Sequence, residues 1–289
     1  VLIAPAMNVH MYEHPAVQHN LATLKARGVQ IFDPGEGQLA CGYVGKGRMA
    51  EPEQLFERIM ALLTDHRPLQ GKRVLITAGG TIERIDPVRY LTNDSSGKMG
   101  YAFAEIAKEL GAEVTLISGR TMLASPAGVE VVSIESTQQM LDAVLERFNH
   151  TDIVIKAAAV ADYRPASISK NKIKKNDGTL QLDLVKNPDI LQQLGERKTS
   201  QFIVGFAAET ENMEQYALDK LKRKNCDLLV ANNVTLPGAG FGVDTNIVTL
   251  FDEQGVIESL PIMDKRQVAR HVMELVAKRL ANGKSGTLE

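Results

Sequence analysis

Short apolar runs alternate with longer amphipathic stretches along most of the chain. The first clear pair is an apolar run at residues 73–77 followed by an apolar-periodic stretch at 98–110. Continuous short apolar runs are typical of strands buried on both faces, whereas a 3.6-residue period indicates a helix with one buried face. The alternation continues with strands at 113–118 and 152–156 and a helix at 137–148. It predicts a right-handed, parallel, Rossmann-like sheet.

The remaining pattern extends this sheet. A basic run at 169–175 is expected to be one strand of a hairpin that turns at 176–178, with Lys170, Lys172 and Lys174 on one face. The later elements are predicted as strands at 202–206 and 227–231, a helix at 213–225, a hairpin of 246–251 with 256–260, and a closing helix at 265–280.

The first 65 residues form a separate and less complete pattern. We expect strands at 1–4 and 29–32, helices at 15–27 and 51–63, and a glycine-rich loop at 33–49. Two strands cannot make a sheet covered on both faces, so this stretch is predicted to be part of a larger α/β layer. The chain also begins without Met, inside an apolar run, and we expect it to be the C-terminal part of a longer protein.

Proline and glycine punctuate residues 65–72, which marks a domain boundary. We divide the chain into a first domain at 1–66, a linker at 67–72, a second domain at 73–283 and a tail at 284–289.

Composition narrows the function classes. The 289 residues carry a net charge of −2, so no strongly basic surface is available for nucleic acid. No apolar run approaches membrane-spanning length, and the N-terminus lacks a secretory pattern. Cys41 and Cys226 are far apart in sequence, which suits a reduced cytoplasm better than a disulfide framework. A cytoplasmic protein that binds neither membranes nor nucleic acid is expected.

Two loops between the first strand and the first helix of the second domain are candidates for holding a phosphate. Gly79 and Gly80 follow the first strand, and Ser95, Ser96 and Gly97 precede the helix. A serine N-cap, free backbone N–H groups and glycines together favour an anion. The patterns G-x-G-x-x-G and G-x-x-x-x-G-K-[ST] are both absent. An ordinary strand-to-helix turn with a solvated loop remains open.

Other candidates also have a structural alternative. The small residues at 157–161 leave room for a ligand at a strand end, or they simply start a helix. The basic run binds a polyphosphate or is a solvated strand. Cys41 is a proton donor or nucleophile, or a small apolar residue that pins its loop. Asn8 contacts a ligand or caps the next helix.

Several motifs together resemble one known family, the bacterial bifunctional phosphopantothenoylcysteine decarboxylase/phosphopantothenate–cysteine ligases of coenzyme A biosynthesis. The ligase resemblance covers about residues 71–280, and the decarboxylase resemblance rests on PAMN at 5–8 and ACG at 40–42 with GxGRM at 45–49. The ligase motifs are TAGGT at 77–81, IDPVR at 85–89, LTN at 91–93, SSGKMG at 95–100, AAAVADYRP at 157–165, KIKK at 172–175 and GFAAET at 205–210.

The resemblance implies an α/β protein. Its Rossmann-like parallel-sheet ligase domain carries a β-hairpin extension and follows the C-terminal part of a flavodoxin-like decarboxylase domain. The implied ligase reaction joins 4′-phosphopantothenate to cysteine with CTP, through an acyl-cytidylate, and Mg²⁺ rides on the triphosphate with no protein ligand assigned.

Residue roles follow by the same resemblance. Lys172 assists formation of the acyl-cytidylate, and Asn93, with Arg89 nearby, holds its acyl part for cysteine. The implied substrate and nucleotide contacts are Ala157, Ala158, Asp162, Lys172, Asn187, Pro188, Asp189, Ile190, Phe206, Lys220 and Lys224.

In the decarboxylase, the resemblance implies that Asn8 grips the substrate carboxylate, that Cys41 donates a proton, and that FMN carries the redox step. By the same resemblance, the family's N-terminal region, with most of its flavin contacts and its histidine base, is not expected in this chain, and His10 and His14 are not at the position of that base. The isolated chain is therefore expected to be a ligase with little or no decarboxylase activity. A homodimer through the ligase domain, and a higher oligomer at full length, are also implied.

Two other functions stay open from sequence. An NAD(P)-dependent Rossmann oxidoreductase is disfavoured by the missing glycine fingerprint. A non-catalytic regulatory subunit derived from a flavoprotein is disfavoured because Asn93, Lys172 and Cys41 are all present.

Overall fold

The computed structural model describes residues 1–38, 44–64, 67–174, 179–209, 213–233, 240 and 242–283. It divides into two compact units, Val1–His66 and Arg67–Glu289. Cys41, the turn predicted at 176–178 and the tail at 284–289 lie outside the described residues. No helix in the described ranges combines the length and apolarity needed to cross a bilayer.

In its described residues, the first unit contains short strands and three helices. Its elements are β1 (Leu2–Ile3), α1 (Val9–Tyr12), α2 (Pro15–Ala26), β2 (Gln30–Ile31), β3 (Gly35–Gln38), β4 (Val44–Arg48) and α3 (Pro52–Thr64). The strands β1 and β2 pair in parallel, and β3 and β4 pair antiparallel. The glycine-rich segment expected to be a loop is therefore a hairpin in its described part.

The described part of the second unit contains the main sheet and five helices. Its elements are β5 (Arg73–Ala78), β6 (Ile82–Arg84), β7 (Tyr90–Thr92), α4 (Lys98–Glu109), β8 (Glu113–Ser118), β9 (Glu130–Ser133), α5 (Thr137–Phe148), β10 (Ile153–Lys156), β11 (Tyr163–Pro165), β12 (Leu184–Lys186), α6 (Ile190–Arg197), β13 (Phe202–Glu209), α7 (Met213–Lys224), β14 (Leu228–Asn233), β15 (Thr245–Asp252), β16 (Gly255–Asp264) and α8 (Lys265–Gly283).

Over the described ranges, eight strands form this sheet in the order β16-β15-β14-β13-β10-β5-β8-β9. Neighbours are parallel from β14 to β9, and β15 and β16 join antiparallel at one edge. Helices α4 and α8 pack together on one face of the sheet, where their residues Phe103 and Met273 are buried. Helices α5 and α6 cover the other face, where their residues Met140 and Leu194 are buried. The predicted α/β fold with a mainly parallel sheet is confirmed.

Two further local expectations are wrong. Residues 169–174 form no strand, because the antiparallel partner of β11 is β12 and the backbone of Ile173 bonds to Asp86 instead. The N-cap of α4 is Gly97 rather than Ser95 or Ser96, with a left-handed φ of 78° that favours glycine and no side-chain capping bond.

Candidate functional site

A cavity of about 750 Å³ opens at the carboxyl ends of the central strands in the second unit. Parallel α/β sheets bind ligands at this edge, and the volume lies in the range of small-molecule sites. Most of its described lining comes from the loop before α4 with the first turn of that helix, the end of β10 with the loop after it, the start of α6, the end of β13 and one face of α7. The strands β14 and β15 and the start of α8 contribute Asn232, Asn246 and Lys265.

The loop before α4 is fixed by bonds to other loops. The Asn93 Nδ2 atom donates to the Val160 carbonyl oxygen at 3.0 Å, and the Thr92 hydroxyl donates to the Thr81 carbonyl at 2.8 Å. The Thr121 hydroxyl donates to the Ser96 carbonyl at 3.0 Å. The wall that carries Asn93 is therefore held from three directions.

Helix α4 lies unusually close to the end of β5. A Cβ atom added to Gly100 would be 2.5 Å from the Ala78 Cβ atom and 3.0 Å from the Thr77 carbonyl oxygen. Only glycine permits this approach. It brings the start of α4 over the carboxyl edge of the sheet.

A buried hydrogen-bond network forms the floor of the cavity. The Asn187 Nδ2 atom donates to the Ala161 carbonyl at 2.9 Å, and its Oδ1 atom accepts from Arg164 at 2.9 Å. The Ala161 N–H donates to the Thr81 hydroxyl at 2.9 Å. The Thr137 hydroxyl, 3.1 Å from that of Thr81, joins the same network. Asn187 thus uses its side chain to join loops, although the residue lines the cavity.

Positive charge reaches the cavity from α7. The Lys224 Nζ atom, on a side chain only 8% exposed, donates to Asp189 Oδ2 at 2.7 Å and to Gln192 Oε1 at 3.0 Å. Asp189 also caps α6 through the Gln192 N–H at 2.9 Å. Burial opposes ionisation of Asp189, but the Lys224 bond and the N-cap bond prevail and its pKa is lowered. The Lys220 Nζ atom donates to the Phe206 carbonyl at 2.9 Å.

A second pair of lysines, Lys98 and Lys265, also lines the cavity. The Lys98 Nζ atom donates to Asp244 Oδ1 at 2.6 Å, and this bond lowers the pKa of Asp244. The buried Lys265 ammonium donates to the Val243 carbonyl at 2.5 Å. Burial, followed by repulsion from Lys98, lowers the pKa of Lys265.

Most of the predicted site residues meet in this cavity. They are Asn93, Ser95, Ser96, Gly97, Ala157, Ala158, Asp162, Asn187, Pro188, Asp189, Ile190, Phe206, Lys220 and Lys224.

Gly79 and Gly80 do not line the cavity. Gly80 lies behind the wall, where an added Cβ atom would be 2.9 Å from the Asn93 carbonyl oxygen. In the described structure these glycines permit close packing of loops.

Arg89 and Lys172 also lie outside the cavity of their own chain. The Arg89 guanidinium binds Asp86 Oδ2 through Nε at 3.0 Å and donates to the Ile173 carbonyl at 3.0 Å. Asp86, fully buried, also accepts from the Ile173 N–H at 3.1 Å. The side-chain bond from Arg89, then backbone N–H groups, lower the pKa of Asp86 well below its usual range. Asp86 therefore ties the turn that carries Arg89 to the segment that carries Lys172.

In the first unit, Asn8 acts as a helix cap. Its Oδ1 atom accepts from the His10 N–H at 2.9 Å at the start of α1. This is one of the two roles that the sequence left open.

Sequence reasoning missed other cavity residues, notably Lys98, Lys156, Asn246 and Lys265. Lys156 is the last residue of a buried strand, so its position at the carboxyl edge was a usable signal. Asn246 lies on β15 and Lys265 directly follows β16, and the pairing of these two edge strands brings both residues to the cavity. No local sequence pattern predicts that position. Over the described ranges, no cluster of three or more His, Cys, Asp or Glu side chains could hold a metal ion.

Comparison with known proteins gives matches in both units. The family described as DNA/pantothenate metabolism flavoprotein C-terminal domain matches residues 69–280, and the family described as Flavoprotein matches residues 1–64. The Coenzyme A biosynthesis bifunctional protein CoaBC of Bacillus subtilis (strain 168) is 53% identical over 281 residues, covering 96% of this chain and 69% of that protein. The protein of the same name from Vibrio vulnificus (strain YJ016) is 47% identical over 279 residues, covering 96% of this chain and 69% of that protein.

A solved structure also matches. The crystal structure of the C-terminal domain of a Coenzyme A biosynthesis bifunctional protein CoaBC superposes with a TM-score of 0.65 at 46% identity, covering 75% of this chain and 99% of that one.

Proposed function

Because the chain belongs to the family of coenzyme A biosynthesis bifunctional proteins CoaBC, we propose that its second unit is a CTP-dependent phosphopantothenate–cysteine ligase. The observation that carries the proposal is the convergence, in one cavity, of Asn93, Asp162, the stretch 187–190, Phe206 and two lysines from α7. These residues come from separate stretches of sequence, and the resemblance assigns every one of them to substrate or nucleotide.

The proposed reaction has two steps. The carboxylate of 4′-phosphopantothenate attacks the α-phosphorus of CTP, forming an acyl-cytidylate and releasing diphosphate. The amine of cysteine then attacks the acyl carbonyl, an amide forms, and CMP leaves. A carboxylate oxygen is a poor leaving group. Converting the carboxylate to a cytidylyl ester lets the cysteine amine displace CMP instead.

The cavity supplies groups suited to both steps. Lysine ammonium groups stabilise the negative charge that develops on the phosphates. Asn93 holds the acyl part of the intermediate, and Asp162 contacts either the cytosine amino group or the ribose. Asp94, Asp162 and Asp189 are the carboxylates of the cavity's described lining, and Asp189 is engaged by Lys224. Mg²⁺ accordingly enters as the Mg²⁺–CTP complex, as part of the substrate.

Arg89 and Lys172 require a second copy of the chain under this proposal. Side chains on the neighbouring hairpins are apolar and exposed, including Val88 at 56%, Tyr163 at 52% and Leu184 at 46%. An exposed apolar patch of this kind suits a homodimer. In such a dimer, Arg89 and Lys172 lie on the interface elements and reach the partner's cavity.

Subunit mixing tests this arrangement. We expect Lys172→Gln and Asn93→Asp to be inactive as separate dimers. Mixed after reversible dissociation, they should recover about a quarter of the wild-type activity, because half of randomly paired dimers are mixed and each carries one intact site. Absence of recovery in verified mixed dimers refutes the shared site.

For the first unit, we propose that a protein of the full length of the matched relatives, of which this chain covers 69%, binds FMN and decarboxylates the ligase product, as the match to Flavoprotein supports. FMN supplies the redox chemistry of that step when bound. Cys41, assigned as its proton donor, lies outside the described residues, and Asn8 carries the carboxylate-binding role only as a proposal.

The ligase proposal is tested with the purified chain, CTP, Mg²⁺, 4′-phosphopantothenate and cysteine. We expect CMP, diphosphate and the amide in equal amounts, and diphosphate release without CMP when cysteine is omitted. Calorimetric titrations of the chain with CTP, NADPH and FMN compare the ligase with the oxidoreductase and flavoprotein alternatives. Formation of neither CMP nor amide refutes the ligase assignment.

A further inference from the structure

Lys156 is the last residue of the central strand β10 and lines the cavity. Its register partners are Thr77 on β5 and Gly205 on β13, so its side chain leaves the sheet between two neutral neighbours. None of the motifs in the sequence analysis used it.

The ammonium of Lys156 differs from those of the other lysines near it. Lys220 donates to the Phe206 carbonyl, and Lys224 is bound to Asp189 and Gln192. By contrast, no hydrogen bond or ion pair among the described residues involves Lys156. Every fully buried side-chain nitrogen or oxygen in the described part of the chain has a partner. The Lys156 ammonium must therefore reach the water in the cavity.

The charges that surround Lys156 come from three elements. Lys220 on α7 repels its ammonium, whereas Asp189 at the start of α6 and Asp162 after β10 attract it. Burial, followed by the Lys220 repulsion, lowers the pKa of Lys156 to about 8. A partly buried cation that lacks a partner and is crowded by another cation gains when an anion enters beside it.

We infer, building on the proposed function, that the Lys156 ammonium binds a phosphate oxygen of the cytidine nucleotide. A phosphate satisfies the unused donors of Lys156 and offsets its repulsion with Lys220. Lys156 is thus a nucleotide-binding residue in addition to Lys220 and Lys224, and it distinguishes phosphorylated from unphosphorylated ligands.

Isothermal titration of Lys156→Met with CTP, CMP and cytidine tests this inference. A hydrogen bond to a charged group contributes enough that its loss should raise the Kd of CTP and CMP about tenfold or more, with cytidine unchanged. The matched control is Lys278→Met, an exposed lysine on α8 outside the cavity, and it should bind all ligands as the wild type does. Thermal unfolding of each variant checks that it is folded.

A second measurement records proton uptake when CTP binds. At pH 8, the free protein holds Lys156 partly deprotonated, and a bound phosphate favours the protonated form. The wild type should therefore take up a proton when CTP binds, and its binding enthalpy should differ between Tris and HEPES. Lys156→Met should lose most of that difference.

The outcomes separate the inference from the proposed function. If the wild type binds CTP and Lys156→Met binds it equally well, the inference fails and the proposed function stands. If cytidine binding weakens as much as CTP binding, Lys156 contacts the nucleoside and the phosphate assignment is wrong. If the wild type binds no cytidine nucleotide, the proposed function itself fails.

Discussion

Replacing Gly100 with alanine tests how closely α4 must lie against β5 for the cavity to form. The new Cβ atom would be 2.5 Å from the Ala78 Cβ atom. Carbon atoms in contact are normally about 3.5–4.0 Å apart, so the helix has to move by about 1 Å. Ala78 is completely buried and cannot turn aside.

Two effects of opposite sign compete in this variant. Alanine is favoured over glycine inside a helix by about 1 kcal/mol. Overpacking a dense core costs about 1–3 kcal/mol. We therefore expect Gly100→Ala to lower the free energy of unfolding by about 1 kcal/mol, and its Tm by about 2–4 °C for a unit of this size.

The assay is thermal unfolding followed by circular dichroism, combined with a double-mutant cycle. Ala78→Gly removes the atom nearest the new methyl group, so the double variant should recover part of the loss. The coupling should be about 0.5–3 kcal/mol, as for residues in direct contact. The Thr77 carbonyl at 3.0 Å remains in place, which keeps the recovery incomplete.

The catalytic rate of Gly100→Ala should fall by more than its small loss of stability explains. A displacement of about 1 Å at the start of α4 shifts the loop that carries Asn93, and misplacement on that scale can cost up to about 10²-fold in rate. If Gly100→Ala is instead more stable than the wild type and shows no coupling to Ala78, helix propensity alone decides and the close packing is refuted.

Three further substitutions test individual side chains. Asn93→Asp replaces the donor to the Val160 carbonyl with an acceptor, so the cysteine step should slow more than activation; absence of accumulated acyl-cytidylate by mass spectrometry contradicts the role of Asn93. Asp86→Asn should flatten the acid side of the stability profile: because the folded pKa of Asp86 is lowered, its contribution is present above the unfolded pKa of about 3.9 and is lost as pH falls towards the folded value. Urea unfolding at pH 7 and pH 3 measures this. If the free energy of unfolding falls by the same amount between the two pH values in the variant and the wild type, the prediction is contradicted. Lys224→Met leaves Asp189 without its cation and should lower the free energy of unfolding by about 2 kcal/mol, a value between those for exposed and buried ion pairs. An unchanged urea midpoint would show that the Lys224–Asp189 pair does not stabilise the fold.

The main sheet was predictable because its central strands are buried on both faces. The strand Ile153–Lys156, for example, is an uninterrupted apolar run up to its final lysine, and such runs stand out in sequence. The strand Glu130–Ser133 was missed, since it lies at the sheet edge, is half-exposed and has only two apolar residues. The three-residue hairpin strands are too short to show any period.

Alternating lysines were a misleading signal at residues 169–174. Alternation reports on a strand only where one face of the strand packs on a core, and this segment is exposed at Lys172. What fixes it is distant in sequence: Asp86 accepts from the Ile173 N–H, and Arg89 donates to the Ile173 carbonyl. A tertiary contact of this kind leaves no local pattern.

The same reasoning explains why the site was predictable in part. Loops at the carboxyl edge could be chosen from topology, but their shape depends on bonds between loops that are far apart in sequence. Asn93 is tied to Val160, and Asn187 is tied to Ala161. Each bond joins loops from different strands, so no single loop has its site geometry without the assembled sheet. The position of Lys156 follows from this arrangement: topology places the residue at the carboxyl end of a central strand, and the surrounding loops enclose its side chain in the cavity.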